Sequence, residues 1–130
     1  MNHDFTVGDA ARLIGVEPSR IRNWQQHRFI DFGTRGTSGR YRFTMRDVRC
    51  LALMARLVDH GLEPGRAAVQ SASIVDRMAA WRGPPLVAIF SRDPSVSPVI
   101  VPQDSMPDTD VLIIIALAPL FADLDTRAAR

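Results

Sequence analysis

"FTVGDAARLIGVEPSRIRNW", residues 5–24, is the stretch on which the reading of the fold turns. Thr6 stands three residues before Asp9, the spacing at which a hydroxyl and a carboxylate each take an unpaired amide at the start of a helix. A helix is therefore expected from Val7. Its positions Val7, Ala10, Ala11 and Ile14 follow the i, i+3, i+4, i+7 spacing of one buried face, and Gly15 is placed to end it in a left-handed conformation. Pro18 suits a first helical position and opens a second helix running to about His27. Two helices joined by a turn of about three residues that contains glycine form a helix-turn-helix.

In the second helix Ile21 and Trp24 are three apart and are expected to face the first. The remaining side chains, Ser19, Arg20, Arg22, Asn23, Gln25, Gln26 and His27, are types that bond phosphates or base edges. A solvated helix face ordinarily mixes acids with bases; here no acid occurs between Glu17 and Asp31.

Just beyond, "RFIDFG" (28–33) and "RYRFT" (40–44) read as two short strands with a Gly/Thr/Ser-rich link as the hairpin tip. A hairpin directly after a helix-turn-helix is a wing. Arg35 near its tip and Arg40 and Arg42 on its return strand are placed to meet a DNA backbone or minor groove, with Phe29 and Phe43 anchoring its base. Tyr41 either packs on a sugar or covers the core, and the sequence leaves both open.

Thr44 and Asp47 repeat the reciprocal cap and open a third helix, "MRDVRCLALMARLVDHG", with Val48, Leu51, Ala52, Ala55 and Val58 as its apolar stripe. Gly61 closes it, Leu62 supplies the apolar contact past the glycine, and Glu63-Pro64 starts a fourth helix reaching about Trp81. "RGPPL" (82–86) then breaks the helical pattern. "LVAIFSR", "SPVIVPQ" and "DVLIIIAL" are apolar and β-branched between Asp/Pro/Ser turns, which reads as three strands, and Pro119 is expected to open a terminal helix. The fold class expected is α+β. A winged helix-turn-helix domain spans 1–82, and a small strand-rich segment, 83–130, ends in a short helix. So short a segment buries itself poorly alone, so it is expected to pack on the fourth helix or on a second copy of the chain.

Charge follows the same division. All 16 basic residues are arginine, a bias that a GC-rich genome would produce as readily as a functional demand. Residues 1–82 carry 13 arginines against 8 acids, a net of +5, and residues 83–130 carry 3 against 6, a net of −3. Residues 20–49 alone hold 8 arginines against 2 acids, a local +6 that attracts a polyanion. The longest apolar run, "VLIIIALAPLFA", is shorter than the roughly 20 residues of a bilayer span, and proline interrupts it. With no signal-like start, a cytoplasmic, nucleoid-associated protein is expected. The single Cys50 cannot form an internal disulfide and reads as a buried thiol. His3, His27 and His60 are scattered, and neither a metal-ligand cluster, a nucleophile motif nor a phosphate loop occurs, so no enzyme, metal or cofactor is expected.

The order helix, turn, helix, wing, helix, helix, carried by "FTVGDAARLIGVEPSRIRNW" and "SGRYRFTMRDVRCLALMARLVDHGLEPGRA", resembles the DNA-binding half of the MerR family of transcriptional regulators over about residues 5–70. The resemblance implies that Arg22 and the Asn23-Trp24 pair lie at DNA-contacting helix positions and that Arg40, Tyr41 and Arg42 fall on the wing's recognition element. Members of that family follow this domain with a long dimerisation helix; here a helix of about 18 residues gives way to strands, which makes the strand-rich segment the expected dimer joint. The function expected is sequence-specific binding of double-stranded DNA by a bacterial or phage regulator, with Ser19, Arg20, Arg22, Asn23 and Gln26 on the DNA-binding helix and base choice falling to Asn23, Gln26 and Arg20. Two other readings stand beside it. "RIRNWQQHRF" also resembles the winged helices of phage terminase small subunits and excisionase-like proteins, and residues 83–130 suit a module that docks a protein partner of the transcription machinery.

Overall fold

The computed structural model describes residues 5–35, 41–91, 97–102 and 113–129, apart from the side chains of residues 34, 35, 113 and 114. Helix α1 (Val7–Ile14) begins as its capping pair dictates: the Asp9 amide donates to Thr6 Oγ1 at 3.1 Å and the Thr6 amide to Asp9 Oδ2 at 3.2 Å. Gly15, at φ 77°, ends it, and the Gly15 and Val16 amides both donate to the Ala11 carbonyl. Buried Ala10 and Ala11 let α2 (Pro18–Gln26) approach closely, and α2 answers with Ile21 and Trp24.

The expected first strand of the hairpin is corrected. Residues 28–33 form no strand, because the end of α2 takes up their first amides: Phe29 N donates to Trp24 O at 2.9 Å and Arg28 N to Gln25 O at 3.1 Å. That six-to-one, five-to-two pattern needs a left-handed residue, supplied by Arg28 at φ 58°. Ile30 and Phe32 then drop into the core as irregular chain. Gly33, at φ 87°, turns the backbone so close to Phe43 that a Cβ there would stand 2.8 Å from the ring. Only at Thr34 does β1 (Thr34–Arg35) begin, pairing antiparallel with β2 (Tyr41–Arg42) in the register Thr34 to Arg42 and Arg35 to Tyr41. Residues read as hairpin tip are thus strand. Phe5 and Phe43 exchange both backbone hydrogen bonds, 2.7 and 2.8 Å, tying the chain's start to the base of the wing.

Helix α3 (Met45–Asp59) carries the second reciprocal cap, Thr44 with Asp47. Its expected apolar stripe is too narrow: Cys50, Leu53, Met54 and Leu57 are buried as well, while Val58 is only partly so. The helix runs through the centre of the molecule, with α1 on one side and α4 (Pro64–Met78) on another. Glu63 caps α4 with both carboxylate oxygens, accepting from the Gly65 and Arg66 amides at 2.9 and 3.0 Å. Arg46 clasps Asp76 across the two helices with two 3.0 Å bonds and lies over the Phe32 ring. The helix stops at Met78, short of Trp81, whose indole N–H turns back to Pro84 O.

Past the break come β3 (Leu86–Phe90), β4 (Val99–Pro102) and β5 (Ile113–Ala116), in the antiparallel order β4-β3-β5. All five residues of β3 are buried, as befits the middle strand. Helix α5 (Leu117–Ala128) starts two residues before Pro119, which costs nothing because the missing amide falls in the first turn, where it has no helical partner. The strand-rich segment closes on the helices mainly through α5, which lies on β3 and α1. Arg49 of α3 pairs with Asp125 at 2.9 Å, and Arg127 donates to the Leu13 carbonyl at 2.9 Å. The core runs unbroken from Ala10 and Leu51 to Leu86, Phe90, Leu117 and Leu124.

Candidate nucleic-acid interface

With Ile21 and Trp24 turned inward, the helical period brings Ser19, Arg22, Asn23 and Gln26 onto one outer face of α2, at i, i+3, i+4 and i+7. All four are exposed. Among the described residues, no hydrogen bond or ion pair engages the side chains of Arg22, Asn23 or Gln26. Polar groups held on a rigid helix, pointing at water and free of one another, are available to an outside partner.

Arg20 lies on a different flank. One residue on from Ser19 it has rotated by about 100°, and there it meets α3: Nη2 stands 2.7 Å from Asp59 Oδ1 and the guanidinium lies 5.2 Å from the centre of the Trp24 ring. Of the wing residues, Tyr41 is half-buried and Arg42 is exposed at the end of β2. Arg35 is on β1 with its side chain outside the description, and Arg40 lies outside the described residues altogether.

The wing and α2 are joined by a cleft of about 480 Å³ lined by Thr6, Val7, Gly8, Arg22, Gln25 and Tyr41. Electrostatics show how near the wing comes to α1. The Asp9 carboxyl is held below the usual carboxylate range, first by the Thr6 amide and further by the charges of Arg12 and Arg42. Gln25, counted in the sequence with the outward polar side chains of α2, is partly buried. Its Nε2 is shut off from water and has no acceptor.

A larger cleft, about 740 Å³, lies between the α1–α2 turn, α3 and α5. Four of its charged side chains pair with one another, Arg20 with Asp59 and Arg127 with Asp123. Cys50 is buried beneath Arg46, and burial pushes its thiol up to about 12, keeping it protonated. Among the described residues, no group of three or more His, Cys, Asp or Glu side chains is arranged to hold a metal ion, and no helix is long and apolar enough to cross a membrane.

Residues 5–69 match the family described as MerR HTH family regulatory proteins. Among solved structures, HiNmlR, a MerR family regulator lacking the sensor domain and bound to promoter DNA, is similar at 22% sequence identity and a TM-score of 0.48. That likeness covers 57% of this chain and 56% of that one, so the chain spans little more than half of that regulator's length. No curated protein matches the chain.

Proposed function

Since residues 5–69 are half of its length, the chain belongs to the MerR family of helix-turn-helix regulatory proteins, and we propose that it is a sequence-specific, DNA-binding transcriptional regulator. In this reading α2 enters the major groove and the wing lies on the flanking backbone. The observation that carries it is the exposed face of Ser19, Arg22, Asn23 and Gln26 on α2, where Arg22, Asn23 and Gln26 meet no side-chain partner among the described residues, together with the exposed Arg42 on the wing.

The arginines supply affinity by releasing counterions from phosphates. Asn23 and Gln26 choose bases, each good bidentate contact discriminating by roughly 1–3 kcal/mol. Arg20 holds the angle of α2 through Asp59 and Trp24 rather than reading DNA itself. Two copies bind together, each on a half-site about one helical turn from the other, because one small winged helix offers a limited interface. The three-stranded sheet is the joint: its edge strand β4 leaves Val99 half exposed. The role is binding rather than catalysis, at the nucleoid.

Selection of retained fragments from random DNA tests the reading, and a palindromic consensus is the expected result. Arg42→Ala should then weaken all sequences alike, whereas Asn23→Ala should blur preference at one position of each half-site. Equal effects of both changes on consensus and random DNA, or affinity indifferent to salt, would refute it.

A further inference from the structure

Arg20 is held in place where the outer face of α2 is not. Its guanidinium stands 2.7 Å from Asp59 Oδ1 and 5.2 Å from the centre of the Trp24 ring, and its side chain is only 29% exposed. The acid that holds it is poorly placed for its own helix. Asp59 is the last residue of α3, where the aligned carbonyls are negative and a carboxylate is disfavoured. Arg56, one turn back on α3, makes no ion pair among the described residues, so Asp59 turns to α2, 39 residues away in sequence, and not to the cation of its own last turn. An ion pair whose acid is 59% exposed adds little to stability. What it does fix is the direction of a side chain with much rotamer freedom to lose.

That direction matters because of where residue 20 lies on α2. A helix with its side chains is about 10–12 Å across and the major groove about 12 Å wide, so a helix in the groove fills it, its outer face to the bases and its flanks to the phosphates on either side. Ser19, Arg22, Asn23 and Gln26 make the outer face, and Arg20, about 100° round from Ser19, is on a flank. An unrestrained arginine there would take a phosphate, a contact that strengthens every sequence alike. We infer that Asp59 is a specificity-determining residue that itself touches no DNA: by holding Arg20 against α3 it withholds a sequence-blind contact and leaves discrimination to Asn23 and Gln26. The inference rests on the regulator reading, with α2 in the major groove. Asp59 acts through Arg20 and is a positioning residue.

The test uses the full chain, a fragment retained in the selection and a random duplex of the same length, titrated across salt. Asp59→Asn should steepen the log–log salt dependence on random DNA by about 0.9 per protomer and tighten that binding about eightfold per protomer at about 0.1 M salt. The retained fragment should gain less, because Asn23 and Gln26 already set its register and Arg20 must leave its anchors on α3 and Trp24 to reach a phosphate. The ratio of the two affinities should therefore fall. Removing an acid also strengthens the field of the whole molecule. An Arg20→Ala background separates the two effects: with no guanidinium to release, the same Asp59→Asn change should leave the slope where it was. Asp59→Glu keeps both charges of the pair and should keep the wild-type ratio. The deleted charge sits on an exposed side chain at the negative end of α3, so the fold should stand; thermal melting checks each variant, and Asp59→Ser repeats the test with a smaller side chain. Equal gains on both duplexes, no gain on random DNA, or a gain undiminished in Arg20→Ala would overturn the inference and leave the regulator reading intact. Retention of no fragment by the wild type would overturn both.

Discussion

Replacing Arg28 by glycine should make the protein more stable, although it removes a side chain and adds nothing. Helices α2 and α3 end in the same way. In α3, Leu62 N donates to Leu57 O at 2.9 Å and Gly61 N to Val58 O at 3.0 Å, with Gly61 at φ 98°. In α2 the matching bonds come from Phe29 and Arg28, and the left-handed position is filled by an arginine at φ 58°. That conformation costs an L-residue about 1–2 kcal/mol, and glycine gives back about 0.4–1 kcal/mol through the greater freedom of its unfolded chain. The net gain expected is about 0.5–1 kcal/mol. Arg28 is exposed and, among the described residues, its side chain makes no hydrogen bond or ion pair that the substitution would break. Arg28→Ala is the necessary companion, because it deletes the same charge while keeping the strain. Urea denaturation should place alanine near the wild type and move the glycine midpoint up by a few tenths of a molar, taking a slope of roughly 2 kcal/mol per molar. A glycine variant no more stable than the alanine one would show that the left-handed turn carries no strain to relieve.

The central helix gives a prediction of opposite sign: Thr44→Ala breaks the reciprocal cap of α3, whose bonds are 3.2 and 2.9 Å, and should cost about 1–2 kcal/mol in the same urea assay. A loss below a few tenths would mean that water caps the helix equally well. In acid, stability should fall through Asp76, whose carboxyl is held below the usual carboxylate range by its hydrogen bonds to Arg46. As pH drops below about 4 the unfolded chain takes up this proton before the folded one, so the contribution present at neutral pH is lost. Thermal melts at pH 7 and 3 should show a smaller acid-induced drop in Asp76→Asn, and equal drops would disprove the link. In DNA binding, Arg42→Ala should flatten the log–log salt dependence by about 0.9 per protomer, while Arg20→Ala, whose charge already faces Asp59, should leave that slope unchanged. Equal flattening by both would mean that Arg20 abandons Asp59 for a phosphate.

Where the sequence announces a helix with side-chain chemistry, the structure agrees: Thr6 with Asp9, Thr44 with Asp47, and the glycines at 15 and 61 mark ends from residues at most a few positions apart. Where a terminator is disguised, the reading slips. Arg28 gives no sign that it occupies the position glycine fills after α3, and Phe29, Ile30 and Phe32 then imitate a strand, because Ile30 and Phe32 really are buried two residues apart. What denies them a strand is the use of the Arg28 and Phe29 amides by α2, which no alternation of side chains reveals. The stripe expected on α3 was too narrow for a related reason. Periodicity reports that a helix has a buried face, not how many neighbours surround it, and α3 sits among α1, α4 and the side chains of α5.

The basic segment shows the same division between local and distant causes. Eight arginines against two acids in residues 20–49 suggest a field of +6, and the freedom of α2 from acids does leave Arg22 on an unpartnered face. But Arg20, Arg46 and Arg49 each face an acid from beyond the segment: Asp59 at 2.7 Å, Asp76 at 3.0 Å and Asp125 at 2.9 Å. Three of those charges are thereby neutralised, and +6 becomes +3. The arginines that composition counts together divide into two kinds of work: three fasten α2, α4 and α5 to α3, and the others supply the positive field. The distinction lies in partners up to 76 residues away, so it follows from the fold and not from the segment. In the proposed reading this division gives the wing its weight: with Arg20 turned to α3, α2 offers a duplex the charge of Arg22, and Arg42 on β2 adds a second exposed cation.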